Sequence, residues 1–278
     1  MRHEGFRCLG HQQPEKSDGG GVTNPLSLLL TFDEEPGILG AQYFARTWEH
    51  PFPLPKSALV GEPTEMRVVR MHKGHLKLRI TLRGKTAHSA YPHLGINAIE
   101  PAGRVIQALI ELRHEFEKVQ SPCSVFYPET PFVTLNIAMI FGGTATNVVP
   151  DRCDIDFGLR LLPDQSAEPI ADRVRAKLAS VSELGDHAIT VTNISAPFMT
   201  GESSRIYRTL CELVSQSETH AVSYASDAGP LHAMGLECVL FGPGSIEVAH
   251  KPNEFMPKDQ FHGARNILDR LVNRFCNS

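Results

Sequence analysis

The sequence predicts an α/β fold. An α/β domain is made from both ends of the chain, with a smaller four-stranded α+β domain inserted between them. Three observations predict it. Apolar runs that end in acids or glycines lie towards both ends: Leu26–Leu30 before Asp33-Glu34-Glu35, Ser57–Val60 before Glu62, and Val239–Phe241 before Gly242-Pro243-Gly244. Runs of this kind read as buried strands whose ends open on a ligand crevice. Between them, strict alternation marks half-exposed strands, and two helical stripes interleave with those strands. The resulting order β-α-β-β-α-β is the ferredoxin-like, split βαβ arrangement.

The elements follow in order. Residues 1–24 are polar, end near Gly19-Gly20-Gly21 and carry neither period, so they read as a poorly ordered leader. Leu26–Phe32 reads as the first strand. Pro36-Gly37 breaks it, and Ile38–Glu49 carries a helical apolar stripe through Leu39, Tyr43, Phe44 and Trp48. Pro51, Pro53 and Pro55 make a stiff connector to the strand Ser57–Val60. After His72-Lys73-Gly74-His75, the apolar Leu76, Leu78, Ile80 and Leu82 alternate with Lys77, Arg79, Thr81 and Arg83. A loop holding His88, Tyr91, Pro92 and His93 precedes a long helix, Ile96–Val119. Strands are expected at Phe132–Phe141, Cys153–Leu161 and Ala188–Ile194, with a helix at Ser166–Leu178. The α/β character then returns with a helix at Ser203–Gln216, strands at Ala221–Tyr224 and Val239–Phe241, and a closing helix at Gln260–Phe275. The expected divisions are 25–70, 71–197 and 198–278.

Composition narrows the function. With 278 residues and 41% hydrophobic content the chain can bury a sizeable core. A net charge of -4 with mixed signs gives no signature for nucleic acid. Six scattered cysteines without a CxxC pair argue against a cysteine-based zinc site and against a disulfide framework. No run of 18 apolar residues and no signal peptide is visible, so no membrane partner is expected and a cytoplasmic protein is the default.

The chemistry-bearing residues are hard ligands at separate strand ends: Glu34, Glu35, Glu62 and His250. Carboxylates with an imidazole suit zinc or its divalent neighbours. Of the adjacent pair Glu34 and Glu35, one would bind a metal and the other would move a proton. The same stretch is also what a solvated acidic turn before a helix looks like, and a loop histidine such as His250 is commonly a surface residue. The glycines of Phe241–Ser245, Gly244 among them, let a backbone approach a substrate or simply form a turn. P-loop, GxGxxG and GxSxG motifs are absent, which disfavours nucleotide and serine-hydrolase chemistry.

Several motifs then fall in register: Thr31-Phe-Asp-Glu-Glu35, Val60-Gly-Glu-Pro-Thr64, His72-Lys-Gly-His75, Ala87-His-Ser-Ala-Tyr-Pro92, and Gly242-Pro-Gly-Ser245 through His250-Lys-Pro-Asn-Glu254. Together they resemble the co-catalytic zinc aminoacylase and desuccinylase family of metallopeptidases. The resemblance implies a zinc-exopeptidase-like catalytic domain and a lid, the inserted domain, which also makes a homodimer. It implies Zn2+, or Co2+, at two sites and hydrolysis of a small N-acyl amino acid. The HKGH, GINAIE and GPGSIEVAHKPNE stretches favour removal of the acetyl group of N2-acetyl-L-ornithine, a step of arginine biosynthesis. The alternatives are a desuccinylase or dipeptidase, or a non-catalytic dimerising relative. By resemblance Glu34 is the general base, and Glu35, Glu62 and His250 are metal ligands. His88 is the lid histidine that reaches a partner's site and supports the oxyanion. Asn147, Arg160, Ser226 and Asp227 contact substrate. The family's upstream H-x-D-x-V-P and G-x-x-D-x-K-G-G motifs have no counterpart beyond a faint echo in Ser17-Asp18-Gly-Gly-Gly21, with His3 and His11 as the leader's only imidazoles. Both metal sites are therefore expected to be incomplete in a catalytic domain truncated at its N-terminus, and the chain a poor hydrolase.

Overall fold

A computed structural model describes residues 24–49 and 53–277. The expected leader, apart from Asn24, lies outside the described residues, as do His3, His11 and Pro51 of the connector. The chain divides into two compact units. The first comprises Met1–Arg70, Thr200–His220 and Ser226–Ser278, and the second Met71–Met199 with Ala221–Ala225.

Leu26–Phe32 is not a strand. The segment runs without regular structure, and Leu26, Leu28 and Leu30 are 60%, 76% and 64% exposed. An apolar run supplies strand propensity, but a strand also needs a neighbour to pair with, and among the described residues this one has none. Glu34 and Glu35 therefore do not cap a strand. They open a four-residue helix, α1 (Glu34–Gly37), which leads through Ile38 into α2 (Leu39–Thr47). A Cβ on Gly40 would stand 2.4 Å from the carbonyl oxygen of Phe32, and Gly40 N–H donates to that oxygen at 2.9 Å. Only glycine lets α2 seat the segment so closely.

β1 (Ser57–Val60) follows, then β2 (Val69–His72), whose first half belongs to the first unit and second half to the second. β3 (Gly74–Arg83) alternates as its sequence demands, with Leu76, Leu78, Ile80 and Leu82 buried. A short β4 (Ala87–His88) precedes α3 (Glu100–Phe116). The Asn97 side chain caps the entry to α3, accepting from Ile99 N–H at 2.8 Å, and Arg113 and His114 in the last turn complement the helix dipole. Next come β5 (Thr134–Gly142), β6 (Val148–Val149), β7 (Arg152–Leu161), α4 (Ala167–Ala179), β8 (His187–Ser195) and β9 (Phe198–Met199). The chain closes with α5 (Arg205–Val214), β10 (His220–Val222), α6 (Ala228–Ala233), β11 (Glu237–Leu240) and α7 (Lys258–Cys276).

In the second unit the antiparallel sheet has the order β5-β7-β3-β8, the ferredoxin-like order. α3 buries Ala102, Val105, Leu109, Leu112 and Phe116, and α4 buries Ile170, Ala171, Val174 and Leu178, into one core with the inward face of that sheet. Lys73 is fully buried in this unit. Its ammonium donates to the carbonyl oxygen of Thr130 at 2.5 Å, to the Thr130 hydroxyl at 3.1 Å and to the carbonyl oxygen of Phe132 at 3.1 Å. Its Nζ also lies 4.9 Å from the centre of the Tyr127 ring. Burial, and then the charge of Arg160, pull it down to about 8. In the first unit β1 runs parallel to β11, Ser57 opposite Glu237 through Val60 opposite Leu240. α5 and α7 cover this pair through Ile206, Leu210, Leu213, Ala264 and Leu271.

Candidate active site

The first unit gathers acids around Glu62. Glu62 follows β1, and its backbone is pressed against Gly242 after β11: a Cβ there would lie 2.6 Å from the Glu62 carbonyl oxygen. Thr64 locks the two loops together. Its hydroxyl donates to Arg67 O at 2.7 Å and accepts from Gly242 N–H at 3.1 Å. Glu65 N–H and Met66 N–H donate to Gly244 O and Gly242 O at 2.8 and 3.0 Å. Gly244 itself has φ +90 and donates its N–H to Gln260 Oε1 at 2.9 Å. Sequence reasoning missed Thr64 and Gly242 as the scaffold of Glu62, and only the density of small and hydroxyl residues beside each strand end could have signalled it.

Burial, followed by the charges of Glu34, Asp227 and Glu35, pushes Glu62 up to about 8. Asp227, just before α6, is raised by burial, although its Oδ2 accepts from the Thr31 hydroxyl. Among the described residues its buried Oδ1 has no hydrogen-bond partner. Neighbouring Ser226 is fully buried, with its Oγ accepting from Ala228 N–H at 3.2 Å. His250, at φ 59, places Nε2 3.4 Å from Glu35 Oε2 while its own N–H donates to Glu254 Oε2 at 3.2 Å. The structure thus brings Glu34, Glu35 and Asp227 within electrostatic reach of Glu62 and sets His250 against Glu35.

The remaining sequence-derived residues lie in the second unit. His88 ends β4, opposite Val148 of β6. Its Nδ1 accepts from Ala90 N–H at 3.1 Å, and its ring makes an edge contact with Tyr91 at 6.3 Å. Asn147 is one residue before β6 and accepts Ser89 N–H on its carbonyl oxygen at 2.9 Å. His88 and Asn147 therefore share one small ribbon. Arg160 is on β7, between Thr134 of β5 and His75 of β3.

The cluster in the first unit suits a divalent cation in its chemistry. A Glu62 carboxyl lifted by burial and then by neighbouring carboxylates, an orphaned carboxylate oxygen on Asp227 and an imidazole beside Glu35 are oxygen and nitrogen donors suited to positive charge. In number it falls short of a cage. Among the described residues no group of three or more His, Cys, Asp or Glu side chains is placed to hold a metal ion. None of the described helices is long and apolar enough to cross a membrane.

Comparison with known proteins extends these findings. Residues 70–186 match the family model of a peptidase dimerisation domain. Acetylornithine deacetylase from Vibrio atlanticus is 32% identical over 275 residues, covering 98% of this chain and 71% of the relative. The enzyme of the same name from Myxococcus xanthus is 34% identical over 260 residues, covering 91% of this chain and 65% of the relative. The chain thus spans roughly two thirds of the length of these curated relatives. Among solved structures, aminopeptidase PepT from Bacillus cereus superimposes with a TM-score of 0.63 at 20% identity, over 87% of this chain and 62% of that one. Human carnosine dipeptidase 1 gives 0.62 at 12%, over 86% and 64%. At such identities these structures speak for the fold alone. The extent and identity of the curated matches, with the dimerisation-domain match, settle the lineage: the chain belongs to the acetylornithine deacetylase family.

Proposed function

We propose that this chain is a deacetylase that hydrolyses the amide of N2-acetyl-L-ornithine. The observation that carries the reading is the half-buried, strongly perturbed Glu62 among Glu34, Glu35 and Asp227, in a chain whose curated relatives bear that name. Strong perturbation by burial and specific charges is the mark of a working site. Glu35 with His250, and Glu62 apart from them, would each give only part of the donor set of a divalent cation, with zinc or cobalt suited to such donors. When bound, the cation supplies Lewis acidity and makes water more acidic. Glu34 takes the proton of the attacking water and returns it to the leaving amine. Ser226, Asp227 and the Gly244 backbone line the substrate's approach, and the family resemblance gives Asn147 and Arg160 the role of substrate-binding lid residues. His88 donates to the developing oxyanion in a second copy's site. Losing a general base lowers the rate about a hundredfold or more, so acetate release from N2-acetyl-L-ornithine with added Zn2+ or Co2+ should fall by that factor in Glu34→Gln. Full activity in Glu34→Gln would remove the assignment.

The dimerisation-domain match supports a homodimer through the second unit. There β5 is an edge strand of the sheet, and Met139, Ile140 and Phe141 on it are 48%, 51% and 55% exposed. An apolar edge of this kind invites pairing, and the exposed side of α3 is the other surface available to a second copy. A soluble, cytoplasmic enzyme of amino-acid biosynthesis is the setting this reading implies.

A further inference from the structure

The outward face of the second unit's sheet is ordered in rows by its strand register. One row runs Thr134, Arg160, His75, Ser195 across β5, β7, β3 and β8, and the next runs Asn136, Gly158, Lys77, Asn193. Further along, the acids are taken up. Asp156 accepts both Nε and Nη2 of Arg79, at 2.6 and 2.7 Å. Asp154 accepts from the Thr81 hydroxyl at 2.6 Å and from Arg152 Nε at 2.8 Å. In the first two rows Arg160 stands between Thr134 and His75, and Lys77 between Gly158 and Asn193.

His75 occupies this cationic end in an unusual way. Its ring leans across β7 into the gap left by Gly158, where a Cβ would lie 2.6 Å from Nε2, 3.4 Å from Cδ2 and 3.7 Å from Cε1. No side chain larger than glycine's hydrogen leaves that seat open. His75 and Arg160 are direct cross-strand partners, which places their Cβ atoms about 5 Å apart. Burial first, and then the charges of Arg160 and Lys77, pull the imidazole down to about 3, so it carries no charge against the guanidinium. A flat, neutral ring fixed in a notch is a surface on which a planar guanidinium stacks.

We propose that His75 is a positioning residue for Arg160, its ring seated at Gly158 forming the wall that holds the guanidinium ready for a substrate carboxylate. The carboxylate in this statement rests on the deacetylase reading; the wall does not. Freezing one long side chain on binding costs about 0.5–1.5 kcal/mol, so a preset Arg160 tightens carboxylate binding by about two- to tenfold.

The test uses the full chain labelled with nitrogen-15, with the Arg160 Nε–Hε signal assigned by its loss in Arg160→Lys. His75→Leu fills the notch without a flat ring, and His75→Phe restores one. The expected result is a loss of Arg160 Nε–Hε order and about two- to tenfold weaker binding of N2-acetyl-L-ornithine in His75→Leu, both recovered in His75→Phe. Equal Arg160 order in wild type and His75→Leu, or equal looseness in the Leu and Phe variants, overturns the proposal, because a mere space-filler treats the two alike. Where His75→Leu does not fold, Gly158→Ala displaces the same ring from the other side, and unchanged Arg160 order there is equally fatal. Binding of N2-acetyl-L-ornithine by Arg160→Met at wild-type strength removes the carboxylate role assigned to Arg160, and the order measurement then decides the positioning role by itself.

Discussion

Glu62 makes the first unit sensitive to pH when no cation is bound. A carboxyl lifted from 4.5 to about 8 stays protonated in the folded chain where the unfolded chain has already ionised. The folded state then binds more protons than the unfolded one, so stability falls as pH rises between those values. The contribution is fully present below 4.5 and is lost by the time pH has passed through about 8. The complete interval is worth roughly 5 kcal/mol at 1.36 kcal/mol per pKa unit. Between about pH 6 and pH 8.5 the linkage relation leaves roughly 2–3 kcal/mol of it, or about 1 M in a urea midpoint. Trp48 is the single tryptophan and packs on Phe44 at 4.9 Å within the first unit, so its fluorescence follows that unit. In EDTA the wild-type midpoint should drop by about that amount over this range, while Glu62→Gln, which cannot ionise, should stay nearly level. Parallel pH dependence in the two proteins would refute the reasoning. Zn2+ added at about pH 8.5 should raise the wild-type midpoint and leave Glu62→Gln much less affected, since a cation favours the ionised carboxylate it binds.

Three further outcomes follow from particular contacts. Gly242→Ala sets a methyl group 2.6 Å from the Glu62 carbonyl oxygen, backbone that cannot swing aside, and should cost about 1–3 kcal/mol by the same Trp48 transition together with most of the deacetylase activity. Lys73→Met strands the Thr130 and Phe132 oxygens that now share one ammonium; a loss of roughly 2–4 kcal/mol should appear as faster amide exchange in the second unit, and unchanged exchange would show those bonds to be idle. Phe141→Lys on the exposed stretch of β5 should shift sedimentation from dimer towards monomer, whereas an unaltered dimer would exclude that edge and leave the α3 surface.

The second unit was largely legible because its information is local. Leu76, Leu78, Ile80 and Leu82 betray β3 by alternation, and the stripes of α3 and α4 repeat at helical spacing, so each element declares which face it buries. What escaped were buried charges. Arg70, His72 and Lys73 are all buried, but cations read as surface in any sequence, and they hid β2. α6 escaped for a different reason: it is six residues long and contains Gly229-Pro230, a pair that reads as a turn.

The first unit was harder to read because its candidate site is made by backbone approach. The acids at Glu34, Glu35 and Glu62 were visible as residues, and the motif around them as a resemblance. Their placement was not, because it depends on Gly40 meeting Phe32 and Gly242 meeting Glu62 at distances no Cβ permits. The apolar run Leu26–Phe32 shows the limit most clearly. Its residues suit a strand, but pairing is a property of two segments, and no pattern within one of them reports whether the other is there. Asp227 shows the converse. The family resemblance gave it a substrate-contact role, and the fold adds Thr31 on one oxygen, burial on the other and a share in lifting Glu62. A carboxylate's chemistry is set by the charges the fold brings near it, so the acids could be found in the sequence, but which of them would hold a proton could only be found in the structure.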